Sequence, residues 1–306
     1  MSGSASGPVV AIINPTAGMG RGGFPGRDRA GQVAAFAARR GATVEVWVTT
    51  GVGHAHALAR TAAAHGAATV IACGGDGTVN EVASALAFQD VTLAVIPAGS
   101  GNGLARDLGI PLDPKAAFET AVSGTDRLID GGELDGRPFF NVAGIGLDAE
   151  VAHRFAHMRG TGRGLWRYVR AAAREARRFE PQAMTLRVAG RAWSIRPLIL
   201  AFANTRQYGN GALIAPRAAP DDGALDLVVV GSRSMWSVAR GVPALFSGRL
   251  GDQPGVTMEQ VRGADVESPH PLLCHVDGEP HQAGTTVSVR VCPGALRVRV
   301  PGRVSL

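Results

Sequence analysis

Apolar residues recur in two rhythms along this chain, and the change from one to the other divides it. Residues 9–13, 43–49, 70–73 and 92–96 are short runs rich in Val, Ile and Thr, and are predicted strands. Residues 28–40, 53–65 and 79–88 place small and apolar residues at helical spacing, with Gly41 and Gly66 standing where the first two of these helices end. Strands that alternate with helices pair in parallel, because a parallel connection needs a crossover of helical length. From Leu128 the rhythm becomes one of strands and turns. Residues 129–148 read as strand, hairpin, strand. Further strands are predicted over 184–188, 192–204, 225–230, 256–261, 272–276, 286–291 and 296–300. Helical patterning covers 151–179, interrupted around 160–164, and 234–246. The pattern therefore predicts an α/β domain over 1–125 with a parallel sheet, followed by a mainly antiparallel β domain over 126–306. The last strand is free to return to the first domain.

Three of the predicted strands run into glycine-rich turns. The first is Asn14-Pro15-Thr16-Ala17-Gly18-Met19-Gly20-Arg21-Gly22-Gly23, the second Gly74-Gly75-Asp76-Gly77-Thr78, and the third Pro97-Ala98-Gly99-Ser100-Gly101-Asn102-Gly103. Backbone amides at a helix start are unpaired and partly positive, and glycine lets an anion approach the main chain without meeting a Cβ. Thr78 is suited to cap the helix after the second turn. Any one turn alone is also explained as an ordinary connector. Three at the carboxyl ends of strands in one parallel sheet point to a phosphate site. No glycine turn ends in lysine, and Lys115 is the chain's sole lysine, so a Walker-type loop is excluded. Phosphate binding must rest on backbone amides, arginines and metal.

Composition narrows the class. The chain has 306 residues, 45% hydrophobic and 18% charged, enough for two globular cores and unlike a disordered chain. No run reaches the ~20 apolar residues of a membrane span. The first residues lack the basic and apolar regions of a secretion signal. Cys73, Cys274 and Cys292 are odd in number and sit in apolar runs, which fits reduced core cysteines of a cytoplasmic protein.

The net charge of +6 favours an anionic partner. Arg163, Arg167, Arg170, Arg174 and Arg177 fall on one helical face beside Leu165, Trp166, Val169 and Ala173. Such a face is either simply solvated or docks on an anionic membrane surface. No nucleic-acid-binding motif accompanies the charge, and no nucleic acid partner is expected. His153 and His157 have metal spacing, but Arg154 stands where a zinc-protease pattern needs Glu, so they read as surface histidines.

Taken together, Asn14-Pro15-x-Ala17-Gly18, Gly74-Gly75-Asp76-Gly77-Thr78-x-Asn80-Glu81, Pro97-x-Gly99-Ser100-Gly101-Asn102 and Val276-Asp277-Gly278-Glu279 resemble the diacylglycerol kinase and sphingosine kinase family. The bacterial soluble lipid-kinase branch is the most similar, and the resemblance runs from about Val9 to the C-terminus. The resemblance implies a C-terminal β-sandwich that binds lipid and an N-terminal domain that binds ATP, with the active site between them. It implies nucleotide contacts at Asn14, Pro15, Thr16, Ala17, Gly18, Thr49, Gly74, Gly75, Asp76, Gly77, Thr78, Val79, Asn80 and Ser100. Glu279 matches the general base, and the chemistry asks for one, because an attacking lipid hydroxyl must lose its proton. Asp76 is the natural holder of catalytic Mg²⁺, directly or through water. A separate structural Mg²⁺ is implied at the carbonyls of Ala219 and Ala224 and the carboxylate of Asp222.

The expected activity is transfer of the ATP γ-phosphoryl to a lipid hydroxyl, with a diacylglycerol-like acceptor favoured. Gly103 stands where diacylglycerol kinases usually have Asp, which keeps a sphingosine or ceramide acceptor open. A kinase of a soluble acceptor such as NAD, and a non-catalytic nucleotide-binding sensor that docks on membranes, are the other readings. Peripheral membrane association fits the basic helix, and a homodimer is compatible with the sequence.

Overall fold

The computed structural model describes residues 7–18, 28–157, 175, 178–231 and 235–302. They form two compact units. One comprises Met1–Ile129 with Gly294–Leu306, the other Asp130–Pro293.

The first unit is an α/β layer structure. Its strands are β1 (Val9–Ile13), β2 (Val44–Val48), β3 (Thr69–Gly74) and β4 (Thr92–Pro97), in the order β2-β1-β3-β4, all parallel. β3 and β4 are buried along their whole length, which explains why they read as unbroken apolar runs without alternation. The crossover helices are α1 (Arg29–Arg40), α2 (His54–Ala64) and α3 (Asp76–Leu86). Asp28 caps α1 by accepting from the Gly31 amide, and Gly41 ends it at φ 62°, a left-handed geometry that glycine adopts without cost. α3 buries Val79, Val82, Ala83 and Leu86 at helical spacing, with each of the larger side chains stabilising the layer by about 2 kcal/mol. Two short helices follow, α4 (Gly103–Asp107) and α5 (Pro114–Ser123), the latter with Pro at its first position and Asp113 as cap. α5 was not legible in the apolar pattern.

The second unit is a β-sandwich. One sheet has the order β12-β11-β10-β7-β14-β15 and is antiparallel throughout. Its strands are β7 (Val142–Gly146), β10 (Pro197–Ala203), β11 (Leu225–Gly231), β12 (Val256–Val261), β14 (Leu273–Val276) and β15 (Glu279–Gln282). The other contains β8 (Met184–Val188), β9 (Arg191–Ile195), β13 (Gly263–Glu267) and residues 286–290 of β16 (Thr286–Val300). The inner faces meet in one core that includes Ile145, Leu200, Phe202 and Leu227 from the first sheet and Leu186, Val266, Val287 and Val289 from the second. β5 (Thr125–Leu134) and β6 (Arg137–Phe139) form a hairpin through Asp135 and Gly136, and α6 (Leu147–His157) follows β7. A last helix, α7, spans Met235–Ser247.

Four expectations about elements change. The run over 192–204 is two strands, because Pro197 lacks an amide for the ladder and the chain changes sheets there. The runs over 286–291 and 296–300 are one strand, bent at Gly294 with φ 58°. Within the first unit its Arg297 and Val298 pair in parallel with Thr92 and Leu93 of β4. α3 begins at Asp76 and not at Val79, so Asp76, Gly77 and Thr78 form its first turn. The boundary between units falls between Ile129 and Asp130, inside β5, where no loop marks it in the sequence.

Candidate functional site

The loops that follow β1, β2, β3 and β4 lie at one edge of the first unit's sheet, since all four strands point the same way. After β1, the Asn14 amide donates to the Cys73 carbonyl (2.9 Å), and the Asn14 side-chain amide donates to Thr78 Oγ1 (2.8 Å). Thr78 is therefore not the cap of α3. It sits within the helix, its hydroxyl faces the first loop, and Gly75 takes the cap position without a side chain to offer. The cap residue thus offers the first amides of α3 no side-chain acceptor, and beyond the Asp76 amide, which bonds its own carboxylate, the start of the helix is placed to meet an anion. Asn14 Oδ1 also accepts from the Thr16 amide (3.0 Å) and hydroxyl (2.9 Å), turning the chain through Pro15–Ala17. Thr49, buried at the end of β2, donates its amide to Ile13 (2.9 Å).

Glycine is required here by approach of backbone to backbone. A Cβ on Gly99 would lie 2.6 Å from the Gly75 Cα, and one on Gly101 would lie 2.6 Å from Asp76 Oδ2. The second and third glycine turns are therefore in main-chain contact. Asp76 joins them: Oδ2 accepts from the Asn102 amide (2.9 Å) and Oδ1 from the Gly103 amide (2.7 Å). Asn102, left-handed at φ 52°, closes the third turn by exchanging two hydrogen bonds of 3.0 Å with the Gly99 amide and carbonyl. Burial pushes the Asp76 carboxyl above the usual carboxylate range. The amides of Gly103, Asn102 and Asp76 itself and the Arg106 guanidinium pull it down but do not compensate. A carboxylate accepts at about four sites and these amides leave lone-pair capacity over, so the donor set fits a cation that would relieve the cost of burying this charge.

Two side chains that sequence reasoning gave no role hold the loops in place. Arg29, buried at the start of α1, donates to the carbonyls of Asn14 (2.9 Å) and Ala17 and so holds the first residues of the first loop. Nothing local distinguishes it from other helical arginines. Glu81 of the second motif caps α2, accepting from the amides of Gly53 (2.8 Å), Ala55 (3.0 Å) and His56 (3.4 Å), where Gly53 itself has no capping side chain. Of the remaining expected contacts, Val79 is buried, Ser100 is exposed, and Asn80 accepts from the Ser84 hydroxyl at 3.4 Å.

Glu279 belongs to the second unit. It is the first residue of β15, exposed, and paired with Val276 across a two-residue turn of Asp277 (φ 49°) and Gly278 (φ 87°). This is the Asp-Gly hairpin turn with both central residues left-handed. The Asp277 side chain points back from it and accepts from the amides of Phe140 (3.0 Å), Asn141 (2.9 Å) and Val142 (3.0 Å), while its own amide donates to the Val142 carbonyl (2.9 Å). The acid within the turn is thus a clasp, a role that its motif alone did not reveal.

The loop of Ala219, Asp222 and Ala224 is also in the second unit. Asp222 accepts from the Ala224 amide (3.1 Å) and the Gln260 side chain (2.8 Å), and Gly223, at φ 75°, donates to Asp130 (2.7 Å). The Asp226 carboxyl is pushed up by burial and then by the neighbouring Asp222 charge. One carboxylate with main-chain oxygens suits a hard cation, and such a cation would relieve the Asp222–Asp226 repulsion. Among the described residues no group of three or more His, Cys, Asp and Glu side chains is placed to hold a metal. His153 is exposed, while the His157 side chain and the whole arginine face from Arg163 to Arg177 lie outside the described residues. Cys73, Cys274 and Cys292 are free thiols, the first two buried.

Known proteins are similar to this chain over nearly its whole length. The diacylglycerol kinase catalytic domain matches residues 8–134, and the YegS C-terminal NAD kinase beta sandwich-like domain matches residues 141–300. A diacylglycerol kinase of Mycobacterium tuberculosis (strain ATCC 25618 / H37Rv) is 33% identical over 303 residues, covering 96% of each chain. A probable lipid kinase, YegS-like, of Pseudomonas aeruginosa PAO1 is 35% identical over 280 residues, covering 88% of this chain and 89% of that protein. Among solved structures, a putative diacylglycerol kinase from Bacillus anthracis str. Sterne superposes with a TM-score of 0.79 at 20% identity, covering 98% of this chain and 97% of the other.

Proposed function

We propose, from the premise that this chain belongs to the diacylglycerol kinase catalytic-domain family and is a lipid kinase, that it transfers the γ-phosphoryl of ATP to the hydroxyl of a diacylglycerol-like lipid, with Glu279 as general base. The observation that carries the phosphate half of this reading is the contact of Gly75 with Gly99, locked by Asp76 onto the Asn102 and Gly103 amides. It packs main chain against main chain where a Cβ would collide, so the two turns present their backbones together. The residues expected to line the nucleotide site are Asn14–Gly18, Thr49, Gly74–Asn80 and Ser100. The acceptor half rests on Glu279 in its hairpin and on the similarity to relatives named as diacylglycerol and lipid kinases. A sphingosine-type acceptor is the alternative, kept by Gly103 in the third turn.

Magnesium is part of the proposal. Asp76 would hold the catalytic ion, and Ala219, Asp222 and Ala224 would hold a structural one. A bound ion supplies charge neutralisation at the transferring phosphoryl. This chain's residues supply the rest: backbone amides orient the donor phosphates, and the Glu279 carboxylate takes the acceptor's proton. The arginine face is assigned to transient contact with anionic membranes. Among the described residues no helix is long and apolar enough to cross a membrane.

Labelled ATP with Mg²⁺ and vesicles containing diacylglycerol, ceramide or sphingosine tests the reading, with NAD as soluble comparator. Labelled phosphatidic acid is the expected product. Transfer to ceramide or sphingosine alone would reassign the acceptor, transfer to NAD alone would remove the lipid, and ATP binding without any transfer would leave a sensor.

A further inference from the structure

A buried chain of hydrogen bonds ends at the peptide just before Glu279. Asp148, in the first turn of α6, and His275, on β14, are 5% and 3% exposed. Asp148 Oδ1 accepts from the Ala149 amide (2.9 Å), and Oδ2 accepts from the Tyr208 hydroxyl (2.9 Å) and lies 3.2 Å from His275 Nε2. A carboxylate can only accept, so the neutral imidazole carries its proton on Nε2 and presents a lone pair at Nδ1. The Gly278 amide donates to that nitrogen at 3.3 Å. Space for the pair is made by Gly144 on β7, where a Cβ would collide with Asp148 Oδ2 and come within 2.7 Å of His275 Nε2.

The amide at the end of this chain belongs to the central peptide of the hairpin turn. The two common two-residue hairpin turns, I′ and II′, differ by a flip of that peptide. In the form seen here Asp277 and Gly278 both have positive φ, at 49° and 87°, and the Gly278 N–H points inward. In the flipped form the N–H would point away and the φ of Gly278 would become negative, changing the direction in which Glu279 leaves the turn. Asp277 clasps one side of the turn through Phe140, Asn141 and Val142, and as a non-glycine residue at the first central position it already favours the unflipped form, to which the His275 bond adds a hold on the peptide itself.

We propose that His275 is a positioning residue for Glu279: held in one tautomer by Asp148 and Tyr208, it locks the Asp277–Gly278 peptide so that the acid faces its work in a single orientation. The inference rests on the reading of Glu279 as the base.

Two amide replacements separate the two bonds of His275. His275→Asn offers an acceptor near the Nδ1 position and gives up the donor to Asp148. His275→Gln offers a donor near the Nε2 position and gives up the acceptor for Gly278. With full-length enzyme, MgATP and diacylglycerol vesicles, His275→Gln is expected to lower kcat about tenfold or more with nucleotide KM unchanged, and His275→Asn to keep kcat within about threefold even where its melting temperature falls further. Loss of kcat that follows the loss of melting temperature in both variants would overturn the proposal, because a merely structural histidine would behave so. Full kcat in His275→Gln beside an inactive Glu279→Gln would also overturn it while leaving the base in place. Undiminished turnover in Glu279→Gln would instead remove the base reading. Should neither histidine variant fold, hydrogen exchange in the wild type decides: the Gly278 amide is expected to be protected, and exchange at the rate of an open turn would sink the idea.

Discussion

The glycine loops of the first unit and the hairpin turn of the second are both held by a carboxylate that accepts backbone amides, yet they offer chemistry in opposite ways. In the first unit Asp76 draws two loops together, and what the proposed phosphate site draws on is main chain. In the second, Asp277 clasps the start of β7, and what the proposed reaction draws on is one exposed side chain, Glu279. The difference teaches where each region is vulnerable. A site of amides tolerates loss of most side chains but not the addition of a Cβ. A site of one carboxylate tolerates changes around it but not its own neutralisation.

Four substitutions or modifications put this contrast to the test, and the first has the largest effect. Glu279→Gln is expected to lower kcat by about 10²–10⁴-fold, the usual range for a general base, with nucleotide KM unchanged. Steady-state kinetics with both substrates varied would show it, and a change in nucleotide KM alone would mean that Glu279 belongs with the phosphate loops. Asp277→Ala strands three amides at once and is expected to destabilise the fold by at least ~3 kcal/mol, seen as a lower urea midpoint. Equal stability to wild type would show that the clasp is incidental. Gly99→Ala forces Gly75 and Asn102 apart, at about 1–3 kcal/mol, and is expected to raise nucleotide KM about tenfold while leaving the affinity for lipid vesicles intact.

The smallest effect sharpens what the two regions share. Cys73 precedes Gly74 in one, Cys274 precedes His275 in the other, and burial pushes both thiols up to about 12. At pH 8 neither carries appreciable thiolate, so iodoacetamide should leave both unmodified in the native enzyme and label both once it is unfolded. Cys292, half-buried, should react first. Peptide mapping by mass spectrometry gives the order, and fast native labelling of Cys73 would mean that β3 opens at the phosphate loops.

Much of this was legible in the sequence, and the errors are instructive. Strand and helix positions in the first unit followed from apolar runs and amphipathic spacing, because each parallel strand is buried on both faces and each helix on one. The start of α3 was misplaced by three residues, since Gly74-Gly75-Asp76-Gly77 suggests turn throughout, whereas Asp76 and Gly77 are helical once Asp76 is paired to the third loop. β13 and β15 were missed because they are short and carry Gly, Pro and charged residues that only their sheet neighbours make into strands. Thr78 had the chemistry of a cap, but Asn14 engaged its hydroxyl from 64 positions away.

That distance marks the division between what the chain settled alone and what folding decided. The sequence by itself determined the two structural rhythms, the three glycine turns, the absence of a Walker lysine and the Asp-Gly turn before Glu279. All of these are read from residue identity, backbone propensity and periodicity, which act over a few residues. The tertiary structure decided the partners: Asp76 with Gly103 across 27 positions, Arg29 with the first loop, Asp277 with Phe140 across 137, and Asp148 with His275 across 127. A buried carboxylate or imidazole must find hydrogen-bonding groups when it leaves water, and which groups it meets is fixed by how distant segments pack and not by its neighbours in the chain.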